Sequence, residues 1–194
     1  MNEANLFTNW YVPKVITKNK VNTIKKQLNK IYIKLLLNLK LKNSIFVHRD
    51  FHVSNLMKIN NQIGVIDSQD AIIGNPTYDL ASLIDDVRIK TSNQLKNDVL
   101  NYYLNKCSQI YRRKKNDFIH DFNILSVQRN LKIIGIFSRL FKRDKKKQYL
   151  KLIPYTWKLL ELRLKDKKVF GEINTILNQF ISSKTRKKIK FYAN

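Results

Sequence analysis

The chain has 194 residues, 43% of them hydrophobic and 27% charged, and this length predicts one domain able to bury a core. Its single cysteine, Cys107, excludes a disulfide framework within the chain, and its apolar runs fall far below the ~18 residues of a transmembrane span, so a cytoplasmic protein is expected. The formal net charge of +24 is typical of nucleic-acid binders.

The hydrophobic pattern predicts helices around a few short strands. An amphipathic helix over 21–41, with apolar residues at three- and four-residue spacing, leads into a strand at 44–47. Two further strands, 56–59 and 63–66, are joined by a turn at 60–62. Helices are predicted over 78–89, 94–107 and 118–141, and Pro154 predicts a bend or a new helix start within 147–164.

Polar residues follow the ends of two of these strands. His48-Arg49-Asp50 comes after the first strand, Asn55 lies five residues beyond Asp50, and Asp67 follows the strand 63–66. This is the kinase pattern H-R-D-x-x-x-x-N with a second, downstream Asp. Phosphoryl transfer concentrates negative charge between two oxygens. One positioned carboxylate can activate the acceptor, and two metal-holding groups can stabilise this charge through the ion that they bind. Because these side chains lie on loops at strand ends, we expect them to converge in one pocket.

Several segments extend this pattern along most of the chain. They are residues 6–11, 48–86, 128–140 and 149–157. Together they resemble the aminoglycoside phosphotransferase and choline kinase superfamily, and within it the bacterial kinases of N-acetylmuramate and N-acetylglucosamine. His52 agrees with the small-molecule members, since protein kinases usually carry Lys two positions after the catalytic Asp.

The resemblance implies a role for each matching residue. Asp50 is the expected catalytic base, Asn55 and Asp67 are the expected magnesium ligands, and ATP is the expected phosphoryl donor. The catalytic loop (residues 48–55) is expected to be supported by His48, Arg49, His52 and Asp79. Asp79 would brace the loop through backbone hydrogen bonds, and the alternative for it is an ordinary helix N-cap.

Four further residues are candidates for substrate binding. Asp70 is either an auxiliary contact or a solvated loop carboxylate. Gln128, Arg129 and Asn130 interrupt a long apolar helix, and planar hydrogen-bonding groups of this kind suit a sugar site. The alternative for these three is a solvent-facing strip with internal ion pairs.

One part of a kinase has no counterpart in the sequence. A Gly-rich loop and a strand-borne Lys, both in a small N-terminal lobe, normally hold the phosphates. None of the four glycines precedes the catalytic loop. The prediction is an α+β, mostly α, C-terminal lobe of a protein-kinase-like fold over residues 1–183, with a small β-hairpin carrying the catalytic and metal-binding loops. A basic tail over 184–194 would follow, and the N-terminal nucleotide-binding lobe would be absent.

The expected function is ATP-dependent phosphorylation of a small-molecule hydroxyl, with an amino sugar as acceptor. A separately encoded N-terminal lobe is the expected partner, and the isolated chain is expected to be weak or inactive. Two alternatives stay open: a noncatalytic kinase remnant or partner-binding module, and a basic nucleic-acid-associated protein. The second is weakened because lysines outnumber arginines 29 to 9, a bias that an AT-rich genome also produces, and because no specific nucleic-acid-binding motif accompanies the charge.

Overall fold

A computed structural model describes residue 3 and residues 5–188 of the chain. The fold is mostly helical with small antiparallel sheets, as the predicted α+β class requires. A π-helical turn at Phe7–Tyr11 precedes the first helix, and 3₁₀ turns lie at Val53–Asn55 and Lys147–Leu152. The regular elements, in chain order, are α1 (Val12–Val15), α2 (Lys18–Leu37), β1 (Ile45–Val47), β2 (Leu56–Ile59), β3 (Gln62–Val65), β4 (Ile72–Gly74), α3 (Tyr78–Ile84), α4 (Asn93–Lys106), α5 (Gln109–Arg113), α6 (Lys115–Asp144), α7 (Ile153–Arg163), α8 (Lys167–Phe180) and α9 (Ser183–Arg186).

The strands form two antiparallel pairs. Strands β2 and β3 make the predicted hairpin, in which Leu56 lies opposite Val65 and Ile59 opposite Gln62. Asn60 turns the chain there with a left-handed φ of 54°, a conformation that Asn tolerates better than most residues. Strand β1 pairs with β4, a strand of three residues that the sequence pattern did not indicate.

The helices differ from their predicted bounds in ways that have local causes. Helix α3 ends at Ile84 rather than at 89. The next two residues, Asp85 and Asp86, leave the helix, and their carboxylates contact Lys96 and the Val53 N–H. Pro154 lies in the first turn of α7 and so marks a new helix start, as predicted. Of the predicted basic tail 184–194, residues 184–186 belong instead to helix α9, and residues 189–194 lie outside the described residues. Among the described helices, none combines the length and the apolarity that a bilayer crossing requires.

Contacts divide the chain into two compact units, residues 39–126 and residues 1–38 together with 127–194. In the first unit, helices α3, α4 and α6 bury an apolar cluster that includes Ala81, Leu104, Phe118 and Phe122. Asp121 on α6 accepts hydrogen bonds from the backbone N–H groups of Lys40 and Leu41, both at 2.9 Å. These bonds fix the segment that enters β1.

In the second unit, the N-terminal segment packs on the C-terminal helices. The rings of Phe7 and Tyr11 stack at 5.2 Å, and Trp157 Nε1 donates to the Tyr11 hydroxyl at 3.2 Å. Gly135 on α6 lies so close to this segment that a Cβ there would overlap the backbone of Leu6 and Phe7. Only a glycine permits this approach.

We therefore expect Gly135→Ala to destabilise the fold by about 1 to 3 kcal/mol, because the helix or the N-terminal segment must shift. Gly171→Ala is the matched control, since a Cβ at this position on α8 meets nothing within 4 Å. That variant should gain up to about 1 kcal/mol from helix propensity. Urea unfolding measures both, and a Gly135→Ala protein as stable as the unmodified chain would contradict the close approach.

Candidate active site

The catalytic loop leaves β1 with an uncommon backbone conformation. Arg49 has a φ of 72°, in the left-handed region that costs a non-glycine residue about 1 to 2 kcal/mol. Asp79 stabilises this turn with both carboxylate oxygens. Its Oδ2 accepts from the His48 N–H at 2.6 Å and its Oδ1 from the Arg49 N–H at 3.0 Å. The backbone that presents Asp50 is therefore held by one charged group.

Asp79 lies within the first turn of α3, and the N-cap of this helix is Thr77. The N-cap alternative for Asp79 therefore does not describe its position. A carboxylate in the first turn is also favoured by the helix dipole. The helix thus directs this side chain at the catalytic loop while keeping its charge in a favourable field.

A second carboxylate holds the other end of the loop. Asp86, which is buried, accepts from the Val53 N–H through Oδ2 at 3.0 Å. Its Oδ1 accepts from the backbone N–H of Arg88 at 3.0 Å and from the Arg88 guanidinium at 3.2 Å. Asp79 lies in the first turn of α3 and Asp86 lies two residues after its last residue, so the two anchors are found at opposite ends of one short helix.

The turn that presents Asp86 is fixed by a buried charged group. Lys96 on α4 donates to the carbonyl of Ile84 at 2.5 Å, and its Nζ lies 3.7 Å from Asp85. Ser126 Oγ donates to the other oxygen of Asp85. Both charges are almost completely buried, a state that is tolerable only because they are paired and hydrogen-bonded.

Sequence reasoning missed Asp85, Asp86 and Lys96. The available signal was the pair of adjacent acids directly after an apolar helix, since carboxylates there need partners if they are buried. The partner of Asp85, Lys96, lies eleven residues further on in a helix of ordinary amphipathic pattern, and nothing in its spacing marked it.

Asn55 connects the catalytic loop to the strand that leads to Asp67. Its Nδ2 donates to the carbonyl of Asp50 at 3.0 Å, which leaves Oδ1 as the oxygen that could face a cation. Its own carbonyl accepts from the Ile66 N–H at 3.1 Å. The residue before Asp67 is thus tied to the metal-binding candidate Asn55.

His48 makes the complementary connection. Its buried ring lies with Nε2 at 2.9 Å from the carbonyl of Ile66, and since a carbonyl only accepts, Nε2 carries the proton. Both backbone groups of Ile66 are therefore bonded to the catalytic loop. Asp67 follows immediately with a left-handed φ of 71°, and its Oδ1 accepts from Gln69 at 2.8 Å. The structure thereby brings the Asp50, Asn55 and Asp67 segments together.

The remaining loop residues have structural contacts of their own. The backbone of His52 forms a tight turn, in which its N–H donates to Asp50 O at 3.0 Å and its carbonyl accepts from Asn55 at 2.9 Å. The Arg49 guanidinium donates to the carbonyl of Asp70 at 3.2 Å. The backbone of Asp70 makes this contact, and the residue is exposed.

Gln128, Arg129 and Asn130 lie on α6 in the unit formed by residues 1–38 and 127–194, whereas the other candidates lie in the unit 39–126. Arg129 and Asn130 are buried, with 5% and 1% of their surface exposed, and Gln128 is partly buried. The alternative of a solvent-facing strip is therefore wrong for Arg129 and Asn130. Their role in substrate binding stays a prediction.

The candidate donor set suits magnesium. Asn55 and Asp67 offer only oxygen atoms, which Mg²⁺ prefers, and this ion commonly takes one or two protein ligands and completes its shell with waters and phosphates. Within the described residues, no group of three or more His, Cys, Asp or Glu side chains is placed to hold a metal alone. The residues therefore fit an ion shared with a phosphate ligand better than a closed protein site.

Comparison with known proteins agrees with the resemblance inferred from the motifs. The family model described as "Phosphotransferase enzyme family" matches residues 2–115. A relative from Neisseria meningitidis, an N-acetylmuramate/N-acetylglucosamine kinase, is 34% identical over 157 residues, which cover 79% of this chain and 47% of the relative. A kinase of the same name from Pseudomonas aeruginosa is 30% identical over 178 residues, 90% of this chain and 53% of the relative.

A third kinase of this name, from Caulobacter vibrioides, is 29% identical over 149 residues, 74% of this chain and 40% of the relative. The chain thus spans about half the length of the curated relatives it matches. The match of the family model includes the catalytic loop, Asp67 and both carboxylates that brace the loop. Since that match also covers more than half of the sequence, the chain belongs to the phosphotransferase enzyme family.

Proposed function

We propose that this chain is the acceptor-activating and metal-binding lobe of a kinase that transfers the γ-phosphoryl group of ATP to a hydroxyl of an amino sugar. The observation that carries the proposal is the pair of backbone hydrogen bonds that join Ile66 to His48 and Asn55. These two bonds connect the Asp50 segment to the Asp67 segment. The names of the relatives support N-acetylmuramate or N-acetylglucosamine as acceptor. The Gly-rich loop that normally holds the phosphates has no counterpart before the catalytic loop of this sequence.

In this mechanism Asp50 orients the acceptor hydroxyl and takes its proton as the new O–P bond forms, while the bond between the γ-phosphorus and its bridging oxygen breaks and ADP leaves. Asn55 Oδ1 and the Asp67 carboxylate hold Mg²⁺, which when bound neutralises developing charge on the phosphates. The Asn55 amide nitrogen donates a hydrogen bond to the Asp50 carbonyl, and this bond fixes the position of the metal ligand relative to the base. Catalysis of this kind depends mainly on such positioning.

Asp79 and Asp86 act in the proposal as positioning residues. They touch neither substrate nor metal, and they hold the backbone N–H groups of His48, Arg49 and Val53 on either side of Asp50. The left-handed turn at Arg49 would relax without the Asp79 carboxylate. The direction in which Asp50 faces depends on this turn.

The proposal is tested with a fusion protein, in which the part of the N. meningitidis kinase that has no counterpart in this chain is joined to the N-terminus of this chain. We expect the fusion protein to phosphorylate N-acetylmuramate or N-acetylglucosamine with ATP and Mg²⁺, measured as ADP release and as sugar phosphate. A fusion protein that binds ATP but phosphorylates neither sugar would contradict the proposed acceptor class.

The isolated chain should bind Mg²⁺–ATP weakly, with a dissociation constant above about 10 μM, and turn over little or none of it. It offers two candidate metal ligands, Asn55 and Asp67, but no Gly-rich loop for the phosphates among the described residues. The metal ligands and such a loop are both needed to position the nucleotide. Titration calorimetry measures the affinity. Submicromolar binding by the isolated chain would show that the cradle is not missing.

Two substitutions in the fusion protein should separate acceptor activation from metal binding. Asp50→Asn should lower kcat by about 10²- to 10⁴-fold with nucleotide affinity nearly intact, since the base faces the acceptor. Asp67→Asn should instead weaken Mg²⁺-dependent ATP binding by about tenfold or more, since a charged ligand is lost. The exposed Asp98→Asn is the matched control and should change neither quantity. Full activity of both Asp50→Asn and Asp67→Asn would show that the assigned roles are wrong.

Asp79→Asn tests the bracing of the loop, because the two N–H groups donate to different carboxylate oxygens and the NH2 group that replaces one of these oxygens cannot accept a hydrogen bond. We expect a loss of about 1.5 to 3 kcal/mol in the free energy of unfolding and faster hydrogen exchange at His48 and Arg49. Asp121→Asn is the control, since Asp121 likewise accepts from two consecutive backbone N–H groups. It should cost similar stability but leave exchange at His48 and Arg49 and the kcat of the fusion protein unchanged. Equal loop exchange in the two variants would contradict a specific positioning role for Asp79.

A further inference from the structure

A cavity of about 370 Å³ lies in the unit formed by residues 1–38 and 127–194. Pro154 and Trp157 on α7 contribute apolar surface to it, and Lys158, Ser183 and Lys187 contribute polar groups. Its volume falls in the range of small-molecule sites, roughly 300 to 1,000 Å³. None of its lining residues belongs to the unit 39–126, which holds the catalytic loop.

Arg186 gives the cavity a rigid and charged wall. The residue is 7% exposed, and its guanidinium carbon lies 4.9 Å from the centre of the Trp157 ring. Its Nε donates to the carbonyl of Ile181 at 3.0 Å, its Nη1 to Glu161 at 2.8 Å and its Nη2 to Asn178 at 2.7 Å. These bonds use three of the five N–H groups of the guanidinium, and the other two have no acceptor among the residues that the structure describes. Unused donors on a buried side chain that lines a cavity point to a ligand that accepts hydrogen bonds.

The lining of the cavity carries an excess of positive charge. Three cationic side chains, Lys158, Arg186 and Lys187, line it together with one carboxylate, that of Glu161. Glu161 is paired with Arg186, so two positive charges are left without compensation. Neither lysine ammonium group has an ion-pair or hydrogen-bond partner within the described part of the chain. The cavity therefore favours an anion with about two negative charges.

We propose that this cavity binds a phosphate monoester whose phosphate is attached to a compact apolar or aromatic group. A phosphate monoester carries a charge of about −1.5 to −2 at pH 7, which matches the uncompensated charge of the lining. Its oxygens accept hydrogen bonds from the unused N–H groups of Arg186, from the two lysines and from the Ser183 hydroxyl. Its apolar group packs against Pro154 and Trp157. The site goes beyond the proposed kinase activity, because it lies outside the unit of the catalytic loop.

Titration calorimetry of the full chain with phenyl phosphate tests the proposal. We expect one-to-one binding with a dissociation constant between about 10 μM and 1 mM, at least about tenfold tighter than for inorganic phosphate, benzoate or phenol. The NMR signal of the Trp157 indole N–H should shift during the titration, and Trp10→Phe assigns it because the chain has two tryptophans. Adenosine monophosphate, titrated in parallel, distinguishes the source of the ligand. Tighter binding than phenyl phosphate indicates a nucleotide, weaker binding a smaller phosphorylated compound, and either result supports the site.

Substitution of single lysines locates the binding site. Lys158→Gln and Lys187→Gln should each weaken the binding of phenyl phosphate by about three- to tenfold, because each removes a charged donor to the phosphate. Lys184→Gln is the matched control, since Lys184 is also exposed and lies on α9 but does not line the cavity. It should leave the affinity unchanged, and thermal unfolding checks that all three variants are folded.

Several results would overturn the proposal. They are the absence of saturation below about 10 mM phenyl phosphate, equal affinity for inorganic phosphate or benzoate, an unshifted Trp157 signal, and an equal loss of affinity in the Lys184→Gln protein. Binding is read without turnover. An inactive fusion protein would therefore refute the proposed function and leave this site standing, whereas failure to bind phenyl phosphate would leave the proposed function standing.

Discussion

Asp79 accepts hydrogen bonds from two consecutive backbone N–H groups, and the geometry of the candidate site depends on this contact. It stabilises the left-handed turn at Arg49, the residue that directly precedes Asp50. A neutral side chain would bind these donors less strongly, because charge-assisted hydrogen bonds are about twice as strong as neutral ones. The strain at Arg49, of about 1 to 2 kcal/mol, is of the size that such bonds can offset.

Carboxylates that accept hydrogen bonds from backbone N–H groups recur through the unit 39–126. Asp121 holds the entry to β1, Asp79 the start of the catalytic loop and Asp86 its end, each by accepting from backbone N–H groups. The chain has only fourteen acidic residues against thirty-eight basic ones. Two of these three carboxylates, Asp86 and Asp121, are buried, and Asp79 is partly buried. Several of the few acidic side chains of the chain therefore stabilise the backbone of this unit.

The sequence was most informative where a motif coincided with a strand boundary. The β2–β3 hairpin and the segment between His48 and Asp67 follow from short apolar runs, a turn of two asparagines and the kinase motif, all local signals. Strand β4 was not predicted because its pairing with β1, a segment 25 residues or more away in sequence, leaves no local signal. The Asp85–Lys96–Ser126 group was not predicted because its members are far apart in sequence and meet only after folding. Tertiary contacts of this kind leave no periodic signal.

The central claim is that Asn55 and Asp67 hold one divalent cation together with nucleotide phosphates. Substitution of Mn²⁺ for Mg²⁺ at millimolar ATP tests it directly, since the paramagnetic ion broadens the NMR signals of nearby amides even when binding is weak. The account predicts selective broadening of the amide signals of residues 50–55 and 66–68. Broadening at lysine-rich segments such as 145–147, with residues 55 and 67 unaffected, would contradict it.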